Sequence, residues 1–128
     1  MAINNISNSI RSAMCDAMVD AIDAGAGAGL IDVYTAAFGE KLATLTFTDP
    51  AFGAASNGVA TASSITNGTV SNGPATAAVF RITTSNPTTC FEGTVGTSGA
   101  DINFDSVSWA NSETVSISSM TMTMPASA

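Results

Sequence analysis

Histidine is missing from this chain, and charged side chains are scarce. None of the 128 residues is histidine, and 10% are Asp, Glu, Lys or Arg, against about 25% in an average soluble domain. Without histidine, neither a Ser-His-Asp triad nor a Cys-His pair can form. The three cations, Arg11, Lys41 and Arg81, are too few to line a groove for phosphates, so we expect no nucleic-acid partner.

Cysteine and long apolar runs are also rare. The two cysteines, Cys15 and Cys90, match no metal spacing, and a disulfide between them is unsupported. We interpret them as separate, partly buried thiols of a reducing compartment. No segment approaches the roughly 18 apolar residues of a membrane span, and Arg11 interrupts the amino-terminal apolar residues. We therefore expect no membrane partner, no secretory signal and synthesis in the cytoplasm.

The residues that could carry chemistry form no complete site. DINFD (101–105) has the first half of a calcium-loop spacing, but Ser106 replaces the turn glycine and Ser112 stands where the bidentate glutamate belongs. Glu92 and Asp101 would serve as a glycosidase pair only if the fold joined them, and no sequence feature does so. We expect no metal, no cofactor, no catalytic residue and no enzyme activity.

The amino-terminal segment, 1–24, predicts an amphipathic helix over 4–24, capped by Asn4, Asn5 or Ser7. Its apolar residues fall at Ile6, Ile10, Met14, Ala17 or Met18, and Ala21 or Ile22, with Ile3 just ahead of them. The candidate partner-binding stripe on this helix consists of Ile3, Ile6, Ile10, Met14 and Met18. The helix either covers one face of a sheet or is an arm for a partner, and both alternatives stay open. Glycines in 25–29 predict a hinge, so we expect the β domain, 30–128, to fold without the helix.

The segment 42–53 contains the clearest strand. Leu45 and Phe47 alternate with threonines, and Asp49-Pro50 ends the pattern. Shorter strands are predicted at 30–34, 58–66, 75–84, 89–95 and around 102–104, with turns at Asn67-Gly68 and Asn72-Gly73. We predict a mainly β fold, an antiparallel β-sandwich or jelly roll with one amino-terminal amphipathic α-helix. Its predicted inward residues are Leu45, Phe47, Phe80, Ile82, Phe91, Ile102, Phe104, Val115 and Ile117.

The last predicted strand changes register. Val115 and Ile117 share one parity, whereas Met120, Met122 and Met124 share the other. A β-bulge at Ser118-Ser119 would absorb this slip, and the alternative is that the chain crosses there from one sheet to another. The three methionines form an adaptable apolar ridge. They are our second candidate partner-binding surface beside the helix stripe.

Five short stretches carry a resemblance to a known group of proteins. They are LATLTFTDPAFG (42–53), GVATA (58–62), FRI (80–82), GTVGTSGAD (93–101) and VSIS (115–118). Together they resemble small virion proteins of tailed bacteriophages, in particular the capsid cement, or decoration, proteins of short-tailed phages. The similarity extends over most of the chain from about Gly29 onward.

The resemblance implies a jelly-roll-like fold and a structural function. Proteins of this group bind the outside of the icosahedral capsid and clamp neighbouring major capsid subunits, often as homodimers. It implies a virion location on the capsid exterior, after synthesis in the host cytoplasm. The alternative is a head-fibre or tail adhesin that binds host-surface glycan, for which Tyr34 and Trp109 would be the stacking aromatics. An enzyme is the third class, and the missing histidine disfavours it.

Overall fold

The computed structural model describes residues 3–126 and contains one α-helix and eleven short strands within them. The helix is α1 (Asn8–Asp20), followed by a 3₁₀ turn at Ala21–Asp23. The strands are β1 (Leu30–Tyr34), β2 (Lys41–Thr46), β3 (Val59–Thr61), β4 (Gly68–Thr69), β5 (Ala75–Thr76), β6 (Val79–Thr83), β7 (Thr89–Gly96), β8 (Ile102–Asn103), β9 (Ser108–Trp109), β10 (Thr114–Val115) and β11 (Thr121–Thr123). The predicted mainly β, sandwich-like fold with one amino-terminal helix is confirmed.

The largest sheet has five strands in the order β2-β1-β6-β7-β8. β1 lies between β2 and β6 and is antiparallel to both. The β6–β7 pair confirms the predicted hairpin, with Ile82 opposite Phe91 and Arg81 opposite Glu92. β8 differs from the antiparallel expectation, because it runs parallel to β7 through Val95 and Gly96. The turn at 97–101 therefore carries the chain back before β8 begins.

The other strands form three two-stranded ladders, β10-β4, β11-β3 and β5-β9. The bulge predicted at Ser118-Ser119 is wrong, and the alternative sheet crossing is what the chain does. β10 pairs with β4 and β11 pairs with β3, so the register change separates two strands in different ladders. Gly68 begins β4 instead of closing a turn, because Gly68 pairs with Val115. The long strand predicted over 58–66 is reduced to β3 and isolated bridges.

The core is one cluster of side chains from the five-stranded sheet, the ladders and the helix. Of the predicted inward residues, seven are buried: Leu45, Phe47, Phe80, Ile82, Ile102, Phe104 and Val115. Phe91 and Ile117 are only half-buried and pack against the core from its margin. Trp109 is also buried, at 2% exposure, and its ring packs edge-on against Phe104 at 5.1 Å between centroids. These contacts give the small chain one continuous core.

The helix is shorter than predicted and is part of that core. It begins at Asn8 instead of Asn4, and Ser7 is the N-cap, with its hydroxyl accepting the Ile10 N–H at 3.4 Å. Cys15, Val19 and the following Ile22 are at most 2% exposed. α1 packs against β3 and β11. Of the two alternatives left open by the sequence, this burial favours a helix that covers the sheet.

The glycine-rich segment 25–29 packs closely against its surroundings. Gly27 N–H donates to Ser85 Oγ at 3.0 Å. A Cβ on Gly29 would overlap the side chain of Ile22 and would lie 3.0 Å from the Thr83 carbonyl oxygen. Glycine is therefore needed there for close approach between the helix end and the start of β1. The division into helix, hinge and β domain stays a prediction, but this packing disfavours independent folding of 30–128.

Candidate partner-binding surfaces

The predicted partner-binding residues fall in two places, at the helix and at β11. Among the helix set, Ile3, Ile10 and Met14 are 48%, 54% and 38% exposed. Ile10 and Met14 occupy adjacent turns of α1, four residues apart, whereas Ile3 lies in the segment before it. We call these three residues the exposed apolar set. They are the large apolar side chains that the fold leaves most open to solvent within residues 3–126.

Ile6 and Met18 complete the predicted stripe but are half-buried. The Ile6 N–H donates to the Ala126 carbonyl at 2.7 Å, so the segment before the helix is tied to the end of the described chain. The stripe is therefore divided between an exposed part, at Ile3, Ile10 and Met14, and a half-buried part.

Of the buried face of the helix, the sequence analysis named Ile22 as an alternative to Ala21 and expected Cys15 to be partly buried, but it missed Val19. The members of this face, Cys15, Val19 and Ile22, have the same three-and-four spacing as the stripe that was chosen. The signal in the sequence was this second run of apolar residues, which lies on a different side of the helix from Ile10 and Met14. Cys15 Sγ donates to the Met122 carbonyl at 3.3 Å. Burial raises the pKa of the Cys15 thiol, and the neighbouring Asp16 raises it further, so this cysteine is held as an inert thiol.

Polar side chains on the same side of the helix bind the backbone of the segment 51–58 and of Met124. Asp16 Oδ1 accepts the Ala55 N–H at 2.7 Å, and Asp23 Oδ1 accepts the Ala51 N–H at 3.0 Å. The remaining tethers come from Ser12, which accepts the Gly58 N–H at 3.0 Å, and from Arg11, which donates to the Met124 carbonyl at 2.7 and 3.0 Å. These bonds satisfy backbone groups that no strand partner reaches. They fix the rotation of the helix on the sheet.

The methionine ridge is less accessible than predicted. Met120, Met122 and Met124 are half-buried, and all three pack against the core. Met120 and Met122 line an apolar groove of about 300 Å³ that opens between β7, β8 and β11. Its other apolar walls are Phe80, Ile82, Phe91 and Ile102. The ridge therefore forms one wall of a groove, and the exposed apolar set is the more open of the two surfaces.

The two carboxylates that no sequence feature joined, Glu92 and Asp101, line this same groove. Each is already engaged. Glu92 pairs with Arg81 at 2.6 Å, and Asp101 Oδ2 accepts the Thr94 N–H at 2.9 Å and the Thr94 hydroxyl at 3.1 Å. Within residues 3–126, no group of three or more Cys, Asp, Glu or His side chains is arranged to hold a metal ion.

An aromatic and cationic cluster lies on the outer face of the sheet. The Arg81 guanidinium carbon is 4.3 Å from the Phe38 ring centroid and 5.5 Å from that of Tyr34. The hydrogen bond from Arg81 to Glu92 raises the pKa of Arg81 above its ordinary value. Ala37 and Phe38 have φ of 58° and 54°, a strained backbone that holds the Phe38 ring in this cluster. Tyr34 therefore pairs with Phe38, at 5.3 Å between rings, and not with the buried Trp109.

The described part of the chain contains no helix long and apolar enough to cross a membrane. The arrangement as a whole provides contact surfaces: the exposed apolar set, the groove beside β7, and the outer cluster at Arg81.

Comparison with protein-family models, with curated protein sequences and with solved structures finds no significant match to this chain.

Proposed function

We propose that this chain is a structural virion protein, a capsid cement protein that binds the outer capsid surface and stabilises contacts between major capsid subunits. The support from sequence is the resemblance of the strand and turn stretches that begin at LATLTFTDPAFG (42–53). The observation that carries the proposal is the exposed apolar set, of which Ile10 and Met14 lie on a helix whose other face is fixed in the core. An apolar surface on a rigid support suits a permanent contact with another protein.

The apolar contact that one copy can make is weak, which favours a homo-oligomer, most simply a dimer. Fully burying an isoleucine or methionine contributes about 1.5–3 kcal/mol, so the half-exposed Ile3, Ile10 and Met14 would contribute about 3 kcal/mol per copy. Association costs about 4–15 kcal/mol in lost freedom. One copy would therefore dissociate readily from a subunit. Two joined copies attach at two points, and effective concentration holds the second contact once the first is made.

The direct test is a decoration assay with purified capsids that lack the protein. The double variant Ile10→Asp with Met14→Asp adds two charges to the exposed apolar set. The control is Ser9→Asp with Ala13→Asp, which adds the same charges at the same spacing on exposed positions of the same helix. We expect the first variant to lose at least about tenfold in capsid affinity, equivalent to about 1.4 kcal/mol, and the control to bind as wild type. Full occupancy by the first variant would reject the proposed contact.

A second candidate function is an adhesin-type module that binds host-surface glycan. The specific observation in its favour is the cluster of Tyr34, Phe38 and Arg81 on the outer sheet face, because aromatic rings and a guanidinium can stack on and hydrogen-bond to sugars. Copy number separates the two functions. Band intensity relative to the major capsid protein gives many copies per virion for a cement protein and few for an adhesin.

A further inference from the structure

The groove beside β7 lies against an unpaired strand edge. β7 pairs with β6 over Thr89 to Thr94, but it pairs with β8 only at Val95 and Gly96. On the groove side, β7 therefore has no neighbouring strand before Val95 within the part of the chain that the structure describes. β11, on the other side of the groove, pairs only with β3 there. The groove thus opens between two strand edges, one from the five-stranded sheet and one from the β11-β3 ladder.

The direction of the backbone groups can be read from two hydrogen bonds. Val95 N–H donates to the Ala78 carbonyl beside β6, whereas Thr94 N–H donates away from β6 to Asp101. Because backbone groups alternate between the two edges of a strand, the N–H and carbonyl of Glu92 face the same open side as Thr94 N–H. The Asp101 carboxylate accepts the Thr94 N–H, as the carbonyl of a neighbouring strand would do. The backbone N–H and carbonyl of Glu92 have no such partner on this side among the described residues, so they are open to an incoming chain.

The groove wall provides what such a chain would need beyond hydrogen bonds. Phe91, Ile102, Met120 and Met122 give it an apolar floor and sides, and methionine adapts to the shape of what it contacts. Gly93 lets the Phe80 ring and Asp101 pack directly over the β7 backbone, because a Cβ there would lie 2.6 Å from a Phe80 ring carbon and 2.7 Å from Asp101 Oδ2. An extended segment would place every second side chain in this space, while its backbone pairs with β7.

The negative charge of the groove indicates which kind of segment can bind there. Glu92 and Asp101 belong to the groove lining, which contains no cation, but the Glu92 carboxylate turns to the outer face of the sheet beside Arg81, so Asp101 supplies the charge of the groove. Glu92 is paired with Arg81, but Asp101 has no ion-pair partner within residues 3–126. A second copy of this chain would bring the same two carboxylates and a net charge of −7 to the contact. A segment with a lysine or arginine would instead bring the missing opposite charge.

We infer that the β7 edge and its groove form a strand-addition site for an extended segment of another protein, with alternating apolar side chains and a lysine or arginine that faces Asp101. The inference does not depend on the capsid proposal, because it specifies the chemistry of the segment and not its source. The main-chain pairs supply the attachment, and the groove and Asp101 supply the selectivity.

The test uses the full chain and a pool of capped heptapeptides that alternate Val, Ile, Leu or Phe with Thr and end in Lys. We expect saturable binding, seen as shifts of the backbone amide signals of Glu92, Ile102 and Thr121 in NMR spectra. Peptides N-methylated at alternate residues, which lose strand donors, should bind at least about tenfold more weakly. The same loss is expected when Glu replaces the terminal Lys.

Two tryptophan variants make the site assignment falsifiable without disturbing the core. Thr121→Trp fills the groove from an exposed position on β11, whereas Thr123→Trp adds the same ring two residues away, outside the groove lining. We expect Thr121→Trp to weaken peptide binding at least about tenfold and Thr123→Trp to leave it within about twofold. Absence of binding by the whole pool would overturn the inference. Equal binding by the N-methylated peptides, or amide shifts confined to α1, would do so too.

Discussion

The two apolar faces of the amino-terminal helix have opposite surroundings. On one face, Cys15, Val19 and the adjoining Ile22 are at most 2% exposed, whereas on the other Ile10 and Met14 are 54% and 38% exposed. Both faces have the three-and-four spacing of an amphipathic helix. Hydrophobicity alone therefore does not explain which face enters the core, since isoleucine occurs on both.

The polar neighbours of the buried face explain the choice. Ser12, Asp16 and Asp23 accept backbone N–H groups from the segment 51–58, which has few strand partners of its own. Turning Ile10 and Met14 inward would leave those N–H groups unsatisfied, at a cost of about 1–3 kcal/mol for each buried group. The helix is oriented by these tethers. The exposed apolar set is what remains on the other side, open for a partner.

The largest effect is expected outside the helix, in the five-stranded sheet, and it sets the scale for the comparison. Phe80 is 7% exposed, and its ring lies over Gly93. We expect Phe80→Ala to lower the free energy of unfolding by about 3–5 kcal/mol, because it removes transfer energy and leaves a cavity. Urea denaturation followed by tryptophan fluorescence measures this. A loss below about 1 kcal/mol would place Phe80 outside the core.

The next effect separates the two helix faces directly. Ile22→Ala should lower the free energy of unfolding by about 2–4 kcal/mol, since Ile22 is fully buried. Ile10→Ala is the matched substitution on the exposed face, and it should change stability by no more than about 0.5 kcal/mol. Equal losses for the two variants would show that both faces are packed.

A smaller effect tests the tethers. Asp16→Ala removes the acceptor of the Ala55 N–H at 2.7 Å, and we expect it to cost about 1–2 kcal/mol because the hydrogen bond is charge-assisted and partly buried. Asp20→Ala is the control, an exposed carboxylate of the same helix. If the two substitutions cost the same, the rotation of the helix is set by apolar packing alone.

The smallest effect is a pH dependence at Asp23. Burial raises the pKa of Asp23 above the ordinary value of 3.8, and Asp49 and Asp20 raise it further. The folded state therefore binds this proton more tightly than the unfolded state does. The contribution of Asp23 to stability is greatest below pH 3.8 and declines as the pH rises through the raised pKa. Asp23→Asn does not titrate, so its stability relative to wild type should increase between about pH 3 and pH 7. A flat or falling difference would contradict this assignment.

Long-range pairing limits what the sequence predicted. β1 and the β6–β7 hairpin were predicted well because alternation and nearby turns specify them locally. The parallel pairing of β8 and the use of Gly68 in a strand depend on partners distant in the chain. Of the candidate site, Ile3, Ile10 and Met14 are exposed as a partner surface requires, while Met120, Met122 and Met124 are half-buried. Nothing in the sequence predicted that Glu92 and Asp101 would lie at the same groove.

The central claim is that the exposed apolar set contributes nothing to the fold and is free to bind a partner. The most direct test is the free energy of unfolding of the double variant Ile10→Asp with Met14→Asp, compared with wild type in the absence of any partner. The account predicts a change within about 1 kcal/mol, because both side chains are exposed and surface substitutions cost little. A loss of more than about 3 kcal/mol would mean that these side chains are packed in the folded protein, and it would contradict the claim.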